Sequence, residues 1–312
     1  MKDQSALNPA LRLRGWMGEQ PYALLTLAML LWALNIVSGR AVADLLPPIT
    51  LALMRWSIAL MILLPFTYRR LVADWPLIRA RWGVLVLIGL CGVGLYNTLV
   101  YIGLAETTAI NATVLSSLFP LVIATLGFII YRDRLTVGQF MGISISITGA
   151  LAVLTQGDLG VLTTLSFNPG DLWVIGSQIA YALYAVLLRE KPSALHPLSL
   201  LTVTIIVGVV ALAPAAAIEQ AVLHPPMIFN ATSLTVIAYV ATLPALVAYI
   251  CFNRGVALIG SNRAGVFFHL IPIFGSIFAI TLLGEALGLH HVAGWGLILT
   301  GIAITQWAKR DP

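Results

Sequence analysis

Charge is what this chain lacks most: Asp, Glu, Lys and Arg together make up 9% of its 312 residues, against about a quarter in soluble domains. Hydrophobic residues make up 60% and the mean hydropathy is +0.97, a balance that excludes a water-soluble globule. Cysteine is scarce too. Cys91 and Cys251 lie in apolar stretches; neither a disulfide framework nor a metal cluster follows from them, and they read as two core thiols. Catalytic signatures are missing: there is no HExxH, no Gly-x-Ser-x-Gly, and the His290-His291 pair stands at the start of an apolar run without partners. An intramembrane enzyme, which needs a nucleophile and base or metal ligands on facing helices, is not expected, nor is a cofactor. The twelve acidic residues all fall in tails, loops or the ends of apolar runs. Carboxylates deep in the bilayer mark proton relays, so their absence argues against obligatory proton coupling.

What is present is a succession of apolar runs, each near the roughly 20 residues that cross a bilayer as a helix. Broken at Pro, Gly and charge clusters, they cover 21–43, 49–67, 81–103, 108–131, 136–155, 170–188, 196–218, 232–255, 260–283 and 289–308. The expected fold is an all-α membrane protein with ten transmembrane helices and no soluble domain. The run Tyr22 to Val42 is too long for a signal-peptide core and lacks a small-residue cleavage site, so it reads as the first helix. Trp16, Tyr22, Trp75 and Trp82 flank apolar runs as interfacial anchors do.

The basic balance, with a pI near 9.4, reflects topology rather than nucleic acid. With the amino terminus inside, the two tails and Arg69, Arg70, Arg79, Arg81, Arg132, Arg134, Arg189, Lys191, Arg254 and Arg263 place fifteen of the seventeen cations in the cytoplasm. Arg40 faces the other side, and Arg55 lies within the second span. The longest loops, around Gln156 to Pro169 and His224 to Ala231, carry no Lys or Arg.

The chain repeats itself. At an offset of 149, Trp32-Ala33-Leu34, Arg40 and Pro48 fall on Tyr181-Ala182-Leu183, Arg189 and Pro197. At an offset of 152, Gly103, Ala105, Ala112, Val114, Leu118, Pro120, Leu135, Gly142 and Gly149 fall on Gly255, Ala257, Ala264, Val266, Leu270, Pro272, Leu287, Gly294 and Gly301, with Asp133 on Glu285. The expected division is a tail over 1–20, a five-helix repeat over 21–155, a loop over 156–169, a second repeat over 170–308 and a tail over 309–312. Five is odd, so the second copy enters the bilayer from the opposite face. Inverted repeats of this kind recur in secondary transporters, with the substrate site between the halves.

The run Leu31-Trp32-Ala33-Leu34-Asn35, the segment Gly103-Leu104-Ala105 through Phe119-Pro120, its copy Gly255-Val256-Ala257-Leu258 through Ile271-Pro272, and the span-end acids Asp133 and Glu285 before Gly142 and Gly294 together resemble the drug/metabolite transporter superfamily. The resemblance is to its ten-helix EamA-type exporters, over essentially the whole chain, and within them to aromatic amino acid exporters of the YddG type. It implies two five-helix repeats around a central cavity, alternating access, a bacterial inner membrane, and export of amino acids or similar metabolites. Nucleotide-sugar and drug transport by the same fold stay open.

Residues expected to line that cavity follow from helical spacing. Trp32, Asn35 and Gly39 share one face of the first span; Asn35 either faces the cavity or bonds a neighbouring helix. Tyr96, Asn97 and Tyr101 form a second stripe, Tyr101 being near enough to a span end to serve as a belt residue. Ser177, Gln178, Tyr181 and Tyr184 form a third. The eighth span adds Tyr239, Thr242, Tyr249 and Asn253 around Pro244. His269, beside Pro272, is read as the only ionisable side chain near a helix midpoint. Pro120 and Pro272 either free backbone groups for substrate or shape packing. For Arg55, about 9 Å deep at the helical rise, the default is to snorkel outward or to pair with Asp44 or Glu106; a substrate carboxylate is the alternative. Gly138, Gly142, Ser146 and Gly149, echoed by Gly294 and Gly301, read as a packing seam, at a dimer contact or between the halves. An exporter of zwitterions, with some organic cations attracted to aromatic faces, is favoured over a channel, for which filter motifs are missing.

Overall fold

In the computed structural model, described over residues 19–107, 112, 115–116, 118–155, 160, 169–223, 226–283 and 288–308, helices and no strands are found among the described residues. They form ten rods: α1 Pro21–Ala41, α2 Pro48–Ala73, α3 Trp82–Glu106, α4 Phe119–Tyr131, α5 Val137–Leu154, α6 Pro169–Leu187, α7 Pro197–Leu223, α8 Ala231–Ile259, α9 261–283 and α10 Leu289–Trp307. A short helix, Trp75–Ala80, links α2 to α3. By length and hydropathy α1, α2, α3, α6, α7 and α8 can each cross a bilayer; α4, α5 and α10 contain shorter apolar helices. Expected features at Trp16, Val114, Glu285, Leu287, in the tails 1–18 and 309–312, and through most of 156–169 lie outside the described residues.

Several rods outrun their apolar stretches. α2 continues through Arg69 and Arg70 to Ala73, α7 through Glu219 to Leu223, and α8 through Arg254 to Ile259. Arg and Glu are good helix formers; they end the hydrophobic run, not the hydrogen-bonded helix. What stops α8 is Gly260, whose φ of 82° is open to glycine at little cost. The expected interfacial aromatics Tyr22, Trp75 and Trp82 are at least half exposed.

The repeat reappears as exchanged packing. α6, the first helix of the second set, packs along α3 and α4 of the first, while α1 packs along α8 and α9. α2 pairs with α7 and α5 with α10. Two groups, α3–α4–α6 and α8–α9–α1, therefore face each other. Each has a matching irregularity: α3 widens into a π-turn over Leu90–Leu95 and α8 over Leu243–Val247, and the offset of 152 lays Leu95 on Val247. Such insertions free backbone carbonyls and cluster at functional sites.

The rod ends are tied on both faces. On the face poor in cations, Arg40 donates to the Leu104 carbonyl and Thr107 to the buried Asp171. There the Glu219 carboxylate accepts the Ile49 and Thr50 amides, filling donors that an α2 N-terminus leaves open. On the cation-rich face Arg189 pairs with Asp133, Tyr131 donates to Glu190, and Arg263 reaches the Ala308 carbonyl.

Candidate functional site

Where the two groups of helices meet, large aromatic side chains gather. Trp32 of α1 lies 5.4 Å, centroid to centroid, from Tyr181 of α6, and 5.3 to 5.6 Å from Tyr249, Phe252 and Phe268. Tyr96 approaches Tyr181 to 4.3 Å, Tyr184 stacks on Tyr181 at 5.0 Å, and Phe119 stacks on Phe268 at 3.8 Å. Trp56 stands edge-on to Tyr249 at 5.2 Å. These rings are buried, Trp32, Tyr181 and Tyr249 to 1% exposure or less.

Several contacts join residues that the repeat relates. Trp32 and Tyr181 are mates at offset 149, and Asn97 donates to the hydroxyl of Tyr249, 152 residues on, at 3.3 Å. Ser146 donates to the carbonyl of Ile298, again 152 residues on. Mates that touch must straddle the pseudo-two-fold axis. The freed π-turn carbonyls are capped by the same aromatics: Trp32 Nε1 donates to Pro244 O at 3.1 Å and Tyr249 donates to Gly92 O.

Above and below this cluster sit two related polar pairs. Toward the cation-poor face Tyr101 donates to Asn35 Oδ1 at 3.0 Å; toward the cation-rich face Tyr184 donates to Asn253 Oδ1. Asn35 and Tyr184 are mates at offset 149, and Tyr101 and Asn253 at 152, so one Asn–Tyr bond has been kept with its members exchanged. Each bond ties one helix group to the other.

All ten expected site residues are buried. Trp32, Tyr96, Tyr181, Tyr184 and Tyr249 share the aromatic cluster, Asn97 joins it through Tyr249, and Asn35 and Tyr101 form the cation-poor pair. Gln178 is held to one side, its amide donating to Ser177 and Ser116. His269 follows Phe268 at the end of the tight 3-10 turn Val266–His269 and is fully buried. Tyr101, 3% exposed, is not a belt residue. Pro120 and Pro272 each lie in the first turn of a helical segment, Phe119–Tyr131 and Leu270–Leu283, where the missing N–H costs least.

Arg55 overturns its expectation. It neither snorkels nor pairs with Asp44 or Glu106, which are exposed. Its guanidinium is 0% exposed, and Nη1 donates to Asn35 Oδ1 and Tyr101 Oη, both at 2.8 Å. Seven residues into α2, its side chain reaches α1 and α3 instead of the interface. The available signal was an Arg in an apolar run with no acid three or four residues away. Trp56, Phe119, Phe252 and Phe268 carried no such signal, because aromatic hydrocarbon is unremarkable in a bilayer chain.

A helical membrane protein built as two exchanged repeats, with a buried aromatic and polar site at their junction, has the architecture of a membrane transporter. The sequence pattern of the EamA-like transporter family matches residues 20–155 and again 168–307, and the chain belongs to that family. It is 30% identical over 230 residues to the uncharacterized transporter YyaM of Bacillus subtilis (strain 168), covering 73% of this chain and 74% of that protein. An uncharacterized transporter of Archaeoglobus fulgidus is 24% identical over 289 residues, 93% of this chain and 98% of the relative. A solved crystal structure with 18% identity superposes at a TM-score of 0.71 over 91% of this chain and 95% of that one, a likeness of fold.

Proposed function

We propose that the protein is a secondary transporter of the bacterial inner membrane that exports neutral amino acids, aromatic ones among them, and related small metabolites. Its termini lie in the cytoplasm and it works by alternating access, with no obligatory proton coupling. The observation that carries this reading is the aromatic cluster at the pseudo-axis, drawn from both repeats and bracketed by the Asn35–Tyr101 and Asn253–Tyr184 bonds. Aromatic walls suit apolar and aromatic side chains and attract ammonium groups. A bond between the helix groups on either side of the site is what alternating access requires, since opening to one face breaks one bond and spares the other.

Purified protein in liposomes tests it. Labelled Phe, Thr and Met are taken up above empty liposomes, and uptake saturates. Absence of saturable flux for any amino acid, with nucleotide sugars carried instead, sinks the reading. An imposed pH gradient changes the rate little; a large stimulation abolished by His269→Ala sinks the coupling part alone.

A further inference from the structure

We infer that Arg55 is the anion-binding group of the transport site and that the cargo therefore carries a carboxylate. The inference rests on the transport reading above, but not on amino acids being the cargo. A guanidinium stays charged under all physiological conditions, and a buried charge is strongly unfavourable unless compensated. Arg55 is fully buried, yet its partners are a neutral amide and a neutral phenol, both on Nη1. Nε and Nη2 have no acceptor. These two atoms form one edge of the guanidinium, the fork that takes a carboxylate with two parallel hydrogen bonds. The neighbouring indole adds a third free donor, Trp56 Nε1.

Among the described residues, the acids that could have been expected to neutralise Arg55 do not reach it. Asp44 and Glu106 are exposed, and both oxygens of Glu219 are spent on the start of α2. The free edge is also continuous with the aromatic wall: Arg55 Cζ lies 4.9 Å from the Trp56 ring, and that ring 5.2 Å from Tyr249. A molecule with its carboxylate on Arg55 extends its side chain toward Tyr249 and Tyr181, whose hydroxyl also lacks a partner. The charge is one-sided, because the repeat lays Arg55 on Thr204. The Asn–Tyr pair was kept in both halves and the arginine in one, which orients the cargo with its carboxylate toward the cation-poor face.

The test uses the full chain and four probes of one shape: phenylalanine, phenylpyruvate, phenylalaninamide and phenethylamine. Binding is followed by thermal stabilisation in detergent and transport in liposomes. The wild-type protein binds the two acids roughly tenfold or more tightly than the amide and the amine, the scale of a lost charge-assisted pair. Arg55→Gln abolishes that preference, and Arg55→Lys, a point charge without the fork, retains part of it. Equal affinity for acid and amide in the wild-type protein overturns the inference, whichever molecules are carried, as does a preference that persists in folded Arg55→Gln. Binding and transport of phenylpyruvate with neither for phenylalanine removes the amino acid reading and upholds the carboxylate site. Should Arg55→Gln fail to fold, the wild-type discrimination and its weakening in Arg55→Lys decide the matter.

Discussion

Trp32 touches four aromatic rings and spends its indole N–H on the carbonyl freed by the α8 π-turn. Deleting a buried Trp costs about 3–5 kcal/mol, so Trp32→Ala lowers the Tm in detergent by many degrees, while Trp32→Phe, which keeps the ring contacts and loses the bond to Pro244, lowers it less. A Trp32→Ala protein with unchanged Tm would show that the cluster does not hold the helix groups together. Residues of this kind were legible in the sequence because they combine an aromatic body with a polar atom at helical spacing. Phe252 and Phe268 do as much packing but have no polar atom, and Arg55 was misread because its depth along the helix says nothing about the direction of its side chain.

The α5–α10 pair shows how backbone approach governs an element. The small-residue seam lies between the repeats: a Cβ on Gly149 would stand 2.7 Å from the Gly294 carbonyl oxygen, and one on Gly142 2.6 Å from that of Gly301. Backbone cannot step aside as a flexible side chain can. Gly149→Val therefore forces the pair apart at a cost of about 1–3 kcal/mol, the range for overpacking, seen as a lower Tm. Affinity for cargo in the surviving folded fraction stays as in the wild type, since none of the aromatic cluster lies on these helices. A loss of affinity without loss of stability would place the seam in the site instead. The seam was readable from small residues three to four apart; which helix it met was not, because that is a long-range choice.

The whole molecule holds both Asn–Tyr bonds closed at once, one on each side of the aromatic cluster. Tyr184→Phe removes the bond toward the cation-rich face and Tyr101→Phe the bond toward the other. With Cys91 and Cys251 replaced and Ala185→Cys as reporter next to Tyr184 and one helical turn from Tyr181, an impermeant maleimide applied to the cation-rich face labels faster in Tyr184→Phe than in Tyr101→Phe; equal rates would deny the bonds a gating role. The apolar runs, their charged boundaries and the two registers of the repeat were all readable from the chain, because bilayer thickness and internal hydrogen bonding leave a membrane helix few alternatives. The exchange of α1 and α6 between the repeats, the π-turns, and the burial of Arg55 beside Asn35 and Tyr101 were decided only in three dimensions. Lipid and protein neighbours are equally apolar to a helix, so hydropathy cannot say which face meets which partner, and only packing and the pairing of polar atoms can.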